Sequence, residues 1–319
     1  MKANRIVATG ALPAWAESRL EPEFRLDVAD DPDPQVVGAM MGADVVGLIA
    51  RSSTRVGEEL IKAAENLRVI GRTGAGYDSI DIEAAHRRHV VVLYTPDAVT
   101  QATAEHTVTL LLAACKDLPG WQRRVGEGNW LERNRVLNRD LHGATLGIVG
   151  YGRIGRRVHR LLDGWGMKVL ACDPQVAEAE MQRLGASPAS LDRLLAESDF
   201  ITLHAPLDES TRGLINSQSL QRVRRGAVLV NCARGGLVES NQLLVDALDN
   251  GMLSAVALDV LEEEPPAQDD ALLGHPRAIV TAHVGSRTPG TQRLIIETLL
   301  NDLRAVLTGQ QPNVANVVP

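Results

Sequence analysis

Apolar residues recur along this chain with two different periods, and their alternation predicts a repeated order of strands and helices. Short runs rich in Val, Ile and Leu at 5–9, 44–50 and 67–71 have the length and composition of buried strands. Between them, the segments 56–66 and 81–89 place apolar residues three or four positions apart, as an amphipathic helix does. Strands that alternate with helices predict parallel, doubly wound sheets. We therefore expect an α/β protein.

The same order resumes after a long apolar helix in the middle of the chain. This helix is predicted over 100–118, and its nearly continuous apolar stretch predicts that it is buried. The stretch that follows, 119–140, is predicted to be irregular. Further strands are predicted at 200–203, 227–231, 254–258 and 278–282, and a closing helix at 291–307.

A glycine-rich turn at the start of this second half predicts a dinucleotide site. A strand predicted at 145–149 leads into Gly150, Gly152 and Gly155, and a helical pattern and a second strand follow. The first glycine permits the tight turn, the second lets the backbone approach a pyrophosphate, and the third lets the helix pack closely. Asp173 ends the second strand, where an acceptor for a ribose 2′-hydroxyl is expected, and its charge favours NAD over NADP. The alternative is an α/β domain whose glycines serve packing alone.

Composition and charge narrow the classes of partner. The 319 residues carry a formal net charge of −7, which argues against a nucleic-acid surface. Three cysteines, widely spaced within apolar runs, predict neither a disulfide framework nor a metal site. The N-terminus lacks the apolar core of a signal peptide, and no apolar run approaches the roughly 18 residues of a membrane span. We expect a cytoplasmic protein with no metal, no membrane contact and no nucleic-acid partner.

Ionisable residues follow three of the predicted strands at the point where each strand ends. Arg234 follows the strand at 227–231, a run of glutamates at 262–264 follows the strand at 254–258, and His283 follows the strand at 278–282. The carboxyl ends of parallel strands face the ligand crevice, so we expect an arginine, a carboxylate and a histidine to converge beside a nicotinamide. Each residue taken alone also has a structural interpretation, such as a capped turn or a solvated loop.

These three residue types suit hydride transfer to a 2-keto acid. A guanidinium can hold the substrate carboxylate bidentately and polarise the carbonyl group. An imidazole can exchange a proton with the oxygen in either direction of the reaction. A carboxylate that accepts a hydrogen bond from the imidazole fixes its tautomer.

Six motifs spread along the chain share one resemblance. They are RTGAGYD at 72–78, TAEH at 103–106, GYGRIG at 150–155, NCARGG at 231–236, ALDVLEEEP at 257–265 and HVGS at 283–286. Together they resemble the D-2-hydroxyacid dehydrogenase family over nearly the whole chain. The resemblance is greatest to the phosphoglycerate dehydrogenase and hydroxypyruvate or glyoxylate reductase branch. Three departures are Ala282, where the family usually has proline, Ala205, where threonine often precedes the proline, and Tyr94, where asparagine is common.

The resemblance implies a role for each residue that matches a family motif. Arg234 matches the substrate-binding arginine, Glu264 the glutamate paired with the histidine, and His283 the acid/base. The implied substrate contacts are Arg51, Arg72 and the backbone of Gly74, Ala75 and Gly76. The implied cofactor contacts are Thr103, Gly150, Gly152, Arg153, Ile154, Gly155, Asp173, Ala205, Cys232, Ala233, Asp259 and Gly285.

The resemblance also implies how the chain is divided. Residues 1–98 and 289–319 are expected to form a flavodoxin-like substrate domain with a doubly wound parallel sheet. Residues 99–288 are expected to form a Rossmann NAD-binding domain, inserted into the first and also built on a doubly wound parallel sheet. The active site is expected in the cleft between them. The long helix resembles the dimer element of the family, so a homodimer is expected.

We therefore expect an NAD-dependent dehydrogenase that interconverts a small D-2-hydroxy acid and its 2-keto acid. The expected acids are of the 3-phosphoglycerate, glycerate/hydroxypyruvate or glyoxylate type. One alternative is an NAD(H)-binding regulator, similar to the corepressors of the same fold, and the three reacting groups count against it. Another is oxidation of formate or phosphite. Glu264 counts against formate, because formate enzymes of this type have glutamine there.

Overall fold

A computed structural model describes residues 4–318, which form two compact units. The split unit runs up to Val99 and resumes at Arg287, and the central unit is Thr100–Ser286. Each unit contains one sheet, and every strand pair within the two sheets is parallel. The prediction of two parallel α/β sheets is confirmed.

The strands and helices alternate along the chain. The strands are β1 Arg5–Ala8, β2 Arg25–Val28, β3 Val45–Ala50, β4 Val69–Arg72, β5 Val91–Leu93, β6 Thr145–Val149, β7 Lys168–Cys172, β8 Ser187–Pro188, β9 Phe200–Leu203, β10 Ala227–Asn231, β11 Leu253–Leu258 and β12 Ala278–Val280. The helices are α1 Trp15–Leu20, α2 Pro34–Met40, α3 Glu58–Ala63, α4 Ile82–Arg87, α5 Pro96–Cys115, α6 Leu118–Gly126, α7 Arg153–Leu161, α8 Glu178–Arg183, α9 Leu191–Glu197, α10 Ser217–Leu220, α11 Asn241–Asp249 and α12 Pro289–Leu307.

The split unit has the strand order β2-β1-β3-β4-β5, which is the flavodoxin-like order. Its central strands β3 and β4 are buried throughout, because helices cover both faces of the sheet. Helix α12 returns the chain to this unit, and Leu299 packs directly against Gly71 of β4. The chain then adds an antiparallel bridge from Val317 to Leu93 at the β5 edge. The switch in strand order lies between β1 and β3, where ligands bind in such sheets.

The central unit has the strand order β12-β11-β10-β9-β6-β7-β8. The chain runs outward from β6 through β7 to β8, and then returns to place β9 on the other side of β6. This reversal puts a topological switch point between β6 and β9, directly beside the glycine turn. Strands β9 and β10 are buried along their whole length. The carboxyl ends of all seven strands therefore share one edge.

The stretch 119–140, predicted to be irregular, is the clearest correction. Helix α5 ends at Cys115 rather than at 118, and Asp117 adopts a left-handed conformation with φ +47°. A new helix, α6, then begins at Leu118, with proline in its first turn, where the missing N–H costs nothing. A short 3-10 helix follows at Trp130–Asn134. Apolar periodicity is weak here, because Gly120 is the only buried residue of α6.

The state of the cysteines, the grouping of potential metal ligands and the character of the helices can be described for residues 4–318. Cys115, Cys172 and Cys232 are free thiols, and burial raises the pKa of Cys232 to about 12. Within residues 4–318, no group of three or more His, Cys, Asp or Glu side chains is arranged to hold a metal ion. None of the described helices has the length and apolar character needed to cross a membrane.

Candidate active site

The three glycines of the turn between β6 and α7 differ in whether the packing of the protein requires them. Gly150 has φ +88°, and a Cβ atom there would lie 2.5 Å from the backbone nitrogen of Ala205. A Cβ atom at Gly155 would overlap the carbonyl oxygen of Gly150. Both glycines are therefore required by the protein's own packing. Gly152 differs, because it has an extended backbone and a Cβ atom there would meet nothing within 4 Å.

Gly152 is the observation that tests whether the turn fits a dinucleotide. Neither its conformation nor its neighbours in the protein require glycine, so packing alone does not explain the residue. Gly152 is the N-cap of α7, and the first amides of a helix have no partner within the helix. Open space beside the positive end of a helix suits a pyrophosphate. The turn therefore fits a dinucleotide, and Arg153 and Ile154 open the helix that would hold its phosphates.

Asp173 is held at the end of β7 by two backbone donors. The amide of Tyr151 donates to Oδ2 at 2.8 Å, and the amide of Gln175 donates to Oδ1 at 2.9 Å. The first bond ties the carboxylate to the glycine turn itself. Each carboxylate oxygen can accept more than one hydrogen bond, so Asp173 keeps acceptor capacity for a ribose hydroxyl.

The remaining predicted cofactor contacts share one location, with one exception. Ala205 follows β9, Cys232 and Ala233 follow β10, Asp259 follows β11 and Gly285 follows β12, so all lie at the carboxyl edge of the central sheet. Thr103 is the exception, because it lies on α5, where it is buried and its carbonyl oxygen accepts a hydrogen bond from the hydroxyl of Thr107.

The loop after β10 places Arg234 at the same edge. Asn231 is fully buried and organises the turn, since its amide nitrogen donates to the carbonyl oxygen of Arg234 at 2.8 Å and its side-chain oxygen accepts from the amide of Ala233 at 3.0 Å. A Cβ atom at Gly235 would overlap the backbone of Leu261 and Glu262. Gly235 thus lets the Arg234 loop pack directly against the loop that carries Glu264.

Glu264 and His283 form a hydrogen-bonded pair. Nδ1 of His283 lies 2.8 Å from Oε2 of Glu264, and Oε1 of the same glutamate accepts from the amide of Leu261 at 3.1 Å. An ionised carboxylate only accepts, so Nδ1 is the donor in this contact. In the neutral imidazole, Nε2 is then the proton acceptor. Both side chains are 40% exposed, which leaves them accessible to a substrate.

His283 is held in an unusual backbone conformation by Asp259. The histidine has φ +53°, a region that is uncommon for residues other than glycine. Its amide donates to the Asp259 carbonyl oxygen at 2.8 Å. The next two amides, of Val284 and Gly285, donate to the two oxygens of the Asp259 carboxylate at 2.9 and 2.8 Å. One buried aspartate therefore receives three consecutive amides of the loop that carries the histidine.

The predicted substrate contacts of the split unit lie at the carboxyl ends of β3 and β4. Arg51 lies at the β1/β3 switch point, where its amide donates to the hydroxyl of Thr9 at 3.0 Å and its guanidinium donates to the carbonyl of Ala11. Arg72 is buried, and Nη1 donates to the carbonyl oxygen of Thr73 at 2.5 Å.

The loop after β4 offers backbone donors. Gly74 has φ +145°, and its amide donates to the carbonyl oxygen of Arg72 at 3.0 Å. The amides of Ala75 and Gly76 donate to no acceptor among residues 4–318. Two adjacent amides without an acceptor suit an anionic group.

Sequence reasoning assigned no role to several polar residues at the carboxyl edge of the central sheet. Asn231 ends the buried strand β10 and Thr281 follows the half-buried strand β12, and a polar residue at the end of an apolar strand is the signal that could have identified them. His204 follows β9, and both of its ring nitrogens are buried without a partner among the described residues. Burial lowers the pKa of His204 to about 3, so the imidazole is neutral at physiological pH.

The sequence of this chain matches a known protein family. Residues 108–285, more than half of the chain, match the family described as D-isomer specific 2-hydroxyacid dehydrogenase, NAD binding domain. The chain belongs to this dehydrogenase family. The predicted family and the predicted cofactor, NAD, are both confirmed, and the glycine turn, Asp173 and the Glu264–His283 pair all lie within the matched residues.

Individual relatives and solved structures are similar to this chain over most of its length. A D-3-phosphoglycerate dehydrogenase of Archaeoglobus fulgidus is 38% identical over 276 residues, which are 85% of this chain and 52% of that protein. The chain spans about half the length of the curated relatives it matches. The TT0316 protein of Thermus thermophilus is 34% identical with a TM-score of 0.89, covering 99% of this chain and 100% of that one. A glyoxylate reductase of Paecilomyes thermophila is 32% identical with a TM-score of 0.89, covering 100% and 99%.

Proposed function

We propose that this protein is an NAD-dependent oxidoreductase that interconverts a small D-2-hydroxy acid and its 2-keto acid. The observation that carries the proposal is the Glu264–His283 pair at 2.8 Å, at the same sheet edge as the dinucleotide turn. A carboxylate that orients an imidazole beside a nucleotide site is suited to moving a proton in step with a hydride. Membership of the dehydrogenase family supports the same reaction.

Each reacting group has a distinct task in this proposal. A nicotinamide cofactor, held by the glycine turn and Asp173, would supply hydride-transfer chemistry at the keto carbon in either direction. Nε2 of His283 gives a proton to the carbonyl oxygen, or takes one from the hydroxyl, while Nδ1 stays hydrogen-bonded to Glu264. The guanidinium of Arg234 binds the substrate carboxylate with two parallel N–H donors and polarises the carbonyl. In the split unit, the amides of Ala75 and Gly76 bind an anionic group of the substrate.

The substrate class follows from the donors and the relatives together. Arg51 follows β3 and Arg72 ends the neighbouring strand β4, and two arginines suit an acid that carries a phosphate or a second anionic group. Named relatives include a D-3-phosphoglycerate dehydrogenase and a glyoxylate reductase. We therefore propose a substrate of the 3-phosphoglycerate, glycerate/hydroxypyruvate or glyoxylate type, and a preference for NAD over NADP set by Asp173.

A homodimer and a cytoplasmic location also belong to the proposal. Five of the thirteen exposed large hydrophobic residues among those described lie in one short segment: Leu118, Val125, Trp130, Leu131 and Leu137. Exposed apolar residues concentrated in this way are typical of an interaction surface, and we propose that a second copy of the chain covers them. Three free thiols support a reducing compartment.

The test is a steady-state absorbance assay with NADH or NADPH and a panel of 2-keto acids. The panel contains hydroxypyruvate, its 3-phosphorylated form, glyoxylate and pyruvate, and the reverse assay adds formate and phosphite. We expect turnover on at least one keto acid, with NADH preferred. Replacing His283 with asparagine removes the proton donor and should lower kcat roughly 10²- to 10⁴-fold.

A matched glutamate variant controls this experiment. Glu264→Gln weakens the bond that orients the imidazole and should lower kcat, whereas Glu262→Gln changes a neighbouring exposed glutamate and should leave kcat within about twofold. Near-normal turnover in His283→Asn would exclude histidine as the acid/base. Tight NADH binding with no turnover on any acid would favour the regulatory alternative. Equal use of NADPH would show that Asp173 does not face the ribose.

A further inference from the structure

A second histidine lies behind the proposed acid/base, on a different element. His106 is on α5, and its Nε2 lies 3.1 Å from the hydroxyl oxygen of Thr281 and 3.3 Å from Oδ1 of Asp259. Asp259 is 2% exposed, so this contact is made to a carboxylate that water hardly reaches. The His106 side chain is 20% exposed and also approaches Gly285, where a Cβ atom would lie 3.5 Å from its ring.

The donors of these hydrogen bonds can be assigned from the protons that Thr281 and Asp259 carry. Thr281 has one hydroxyl proton and donates it to Oδ1 of Asp259 at 2.6 Å. Its oxygen can then only accept from His106, and the carboxylate also only accepts. Nε2 of His106 therefore carries a proton, which it shares between the threonine oxygen and the aspartate. The contact holds for the neutral Nε2–H tautomer and for the imidazolium alike.

The carboxylate that His106 contacts is the one that holds the loop of His283. Asp259 receives four donors through its side chain: His106, the Thr281 hydroxyl and the amides of Val284 and Gly285. Burial alone would raise the pKa of the Asp259 carboxyl, but these donors outweigh it and lower the pKa. The group therefore remains an acceptor for the two amides that follow His283.

The backbone of His283 needs such support. A residue other than glycine with φ near +53° is held there only when its surroundings over-determine the conformation. Here the surroundings are the three amides captured by Asp259. A carboxylate that loses one of its side-chain donors is free to rotate or to recruit water, and either change loosens the two amide bonds.

We propose that His106 is a positioning residue, whose Nε2–H fixes the Asp259 carboxylate and through it the loop that presents His283. This inference rests on the proposed function, since it concerns the proton transfer assigned to His283. It assigns His106 no contact with substrate or cofactor. The proposal requires only one property of residue 106: an N–H donor located where Nε2 lies, within reach of Thr281 and Asp259.

Three variants of His106 test this requirement. His106→Gln places an amide N–H close to the position of Nε2, His106→Asn carries the same amide on a shorter side chain, and His106→Leu removes the donor. We expect kcat to fall roughly tenfold in the leucine and asparagine variants and to stay within about threefold of wild type in the glutamine variant. KM for NADH should change less than kcat, because the glycine turn and Asp173 are untouched and only Asp259 and Gly285 among the expected cofactor contacts are loosened.

Amide hydrogen exchange supplies a readout that does not depend on turnover. Exchange at Val284 and Gly285 should be about tenfold faster in His106→Leu than in the wild-type protein, with the glutamine variant close to wild type. Amides of β9, in the middle of the same sheet, serve as the internal reference.

The outcomes separate this inference from the proposed function. If the wild-type protein reduces none of the acids, the proposed function fails, and the exchange comparison still tests the positioning. A glutamine variant as slow as the leucine variant would overturn the role of the donor. Unchanged exchange at Val284 and Gly285 in His106→Leu, or an unchanged kcat in a protein that turns over, would overturn the positioning.

Discussion

At the scale of a single residue, the fold changes the pKa of the His204 imidazole. Its ring nitrogens are buried and unpartnered within residues 4–318, and burial lowers its pKa to about 3. The unfolded chain titrates near pH 6.5. Between these two values the unfolded chain binds more protons than the folded one, so acidification through this window favours unfolding.

A pH-dependent loss of stability is the first prediction at this scale. Each pH unit below about 6.5 should cost the folded state roughly 1.4 kcal/mol through His204, or about 2 kcal/mol by pH 5. His204→Asn removes this proton uptake. Its thermal midpoint should therefore fall less than that of the wild type between pH 7 and pH 5.

An exposed histidine provides the control. His86 lies on the surface of α4, so His86→Asn should follow the wild-type pH dependence. A wild-type protein and a His204→Asn variant that lose the same stability on acidification would show that His204 is not held neutral by the fold.

The three glutamates at 262–264 show that local sequence alone does not identify which of them pairs with His283. Three successive glutamates at 262–264 were equally plausible from chemistry, and only the resemblance selected Glu264. In the structure it is Glu264 that approaches His283, at 2.8 Å. The choice depends on how the loop turns between Leu261 and Glu264, which no local periodicity records.

At the scale of elements, buried strands were predictable and sparsely buried helices were not. Strands β9 and β10 are buried along their whole length and mostly apolar, because both faces of a parallel sheet are covered, and they lie where they were predicted. Helix α2 was missed, since Val37 is its one buried residue and leaves no apolar stripe. Its start is set instead by a local signal, the Asp33 side chain that accepts from the amide of Gln35.

Alanine substitutions at two glycines of the β6–α7 turn should affect different properties, stability at Gly150 and NADH binding at Gly152. Gly150→Ala should destabilise the protein by roughly 2 kcal/mol, because φ +88° and the Ala205 backbone both oppose a Cβ atom. Gly152→Ala should cost at most about 1 kcal/mol, the loss of a favourable helix cap. It should nevertheless weaken NADH binding about tenfold or more, because the added methyl group fills the space proposed for the pyrophosphate.

Thermal unfolding and a fluorescence titration with NADH measure the two effects separately. The pair of variants controls itself, since each differs from the wild type by one methyl group within the same turn. Full NADH affinity in a stable Gly152→Ala protein would contradict the proposed position of the pyrophosphate.

At the scale of the whole molecule, the segment 118–137 stands apart from the rest of the described surface. It contains Leu137, which is 89% exposed, and Leu131, which is 72% exposed. Helix α6 and the 3-10 helix of this segment were predicted to be irregular, because their exposed apolar residues do not face the core of their own chain.

An oligomer that depends on this segment is the prediction at this scale. The wild-type protein should have the mass of a dimer by light scattering, and Leu131→Asp combined with Leu137→Asp should convert it to a monomer, because two buried charges oppose association. Val314→Asp is the control. Val314 is 78% exposed in the split unit, and its substitution should leave the mass unchanged. A double variant that remains dimeric would exclude the segment as the contact.

The sequence by itself determined the α/β class, the two parallel sheets, the dinucleotide turn and the family, because each is encoded by short-range patterns of apolar residues, glycines and motif spacing. Only the tertiary structure decided which partners those residues have. His106 and Thr281 are 175 positions apart in the chain, yet they contact each other and the same carboxylate oxygen of Asp259. Such contacts arise where α5 and the ends of β11 and β12 pack together, and no local pattern specifies that meeting.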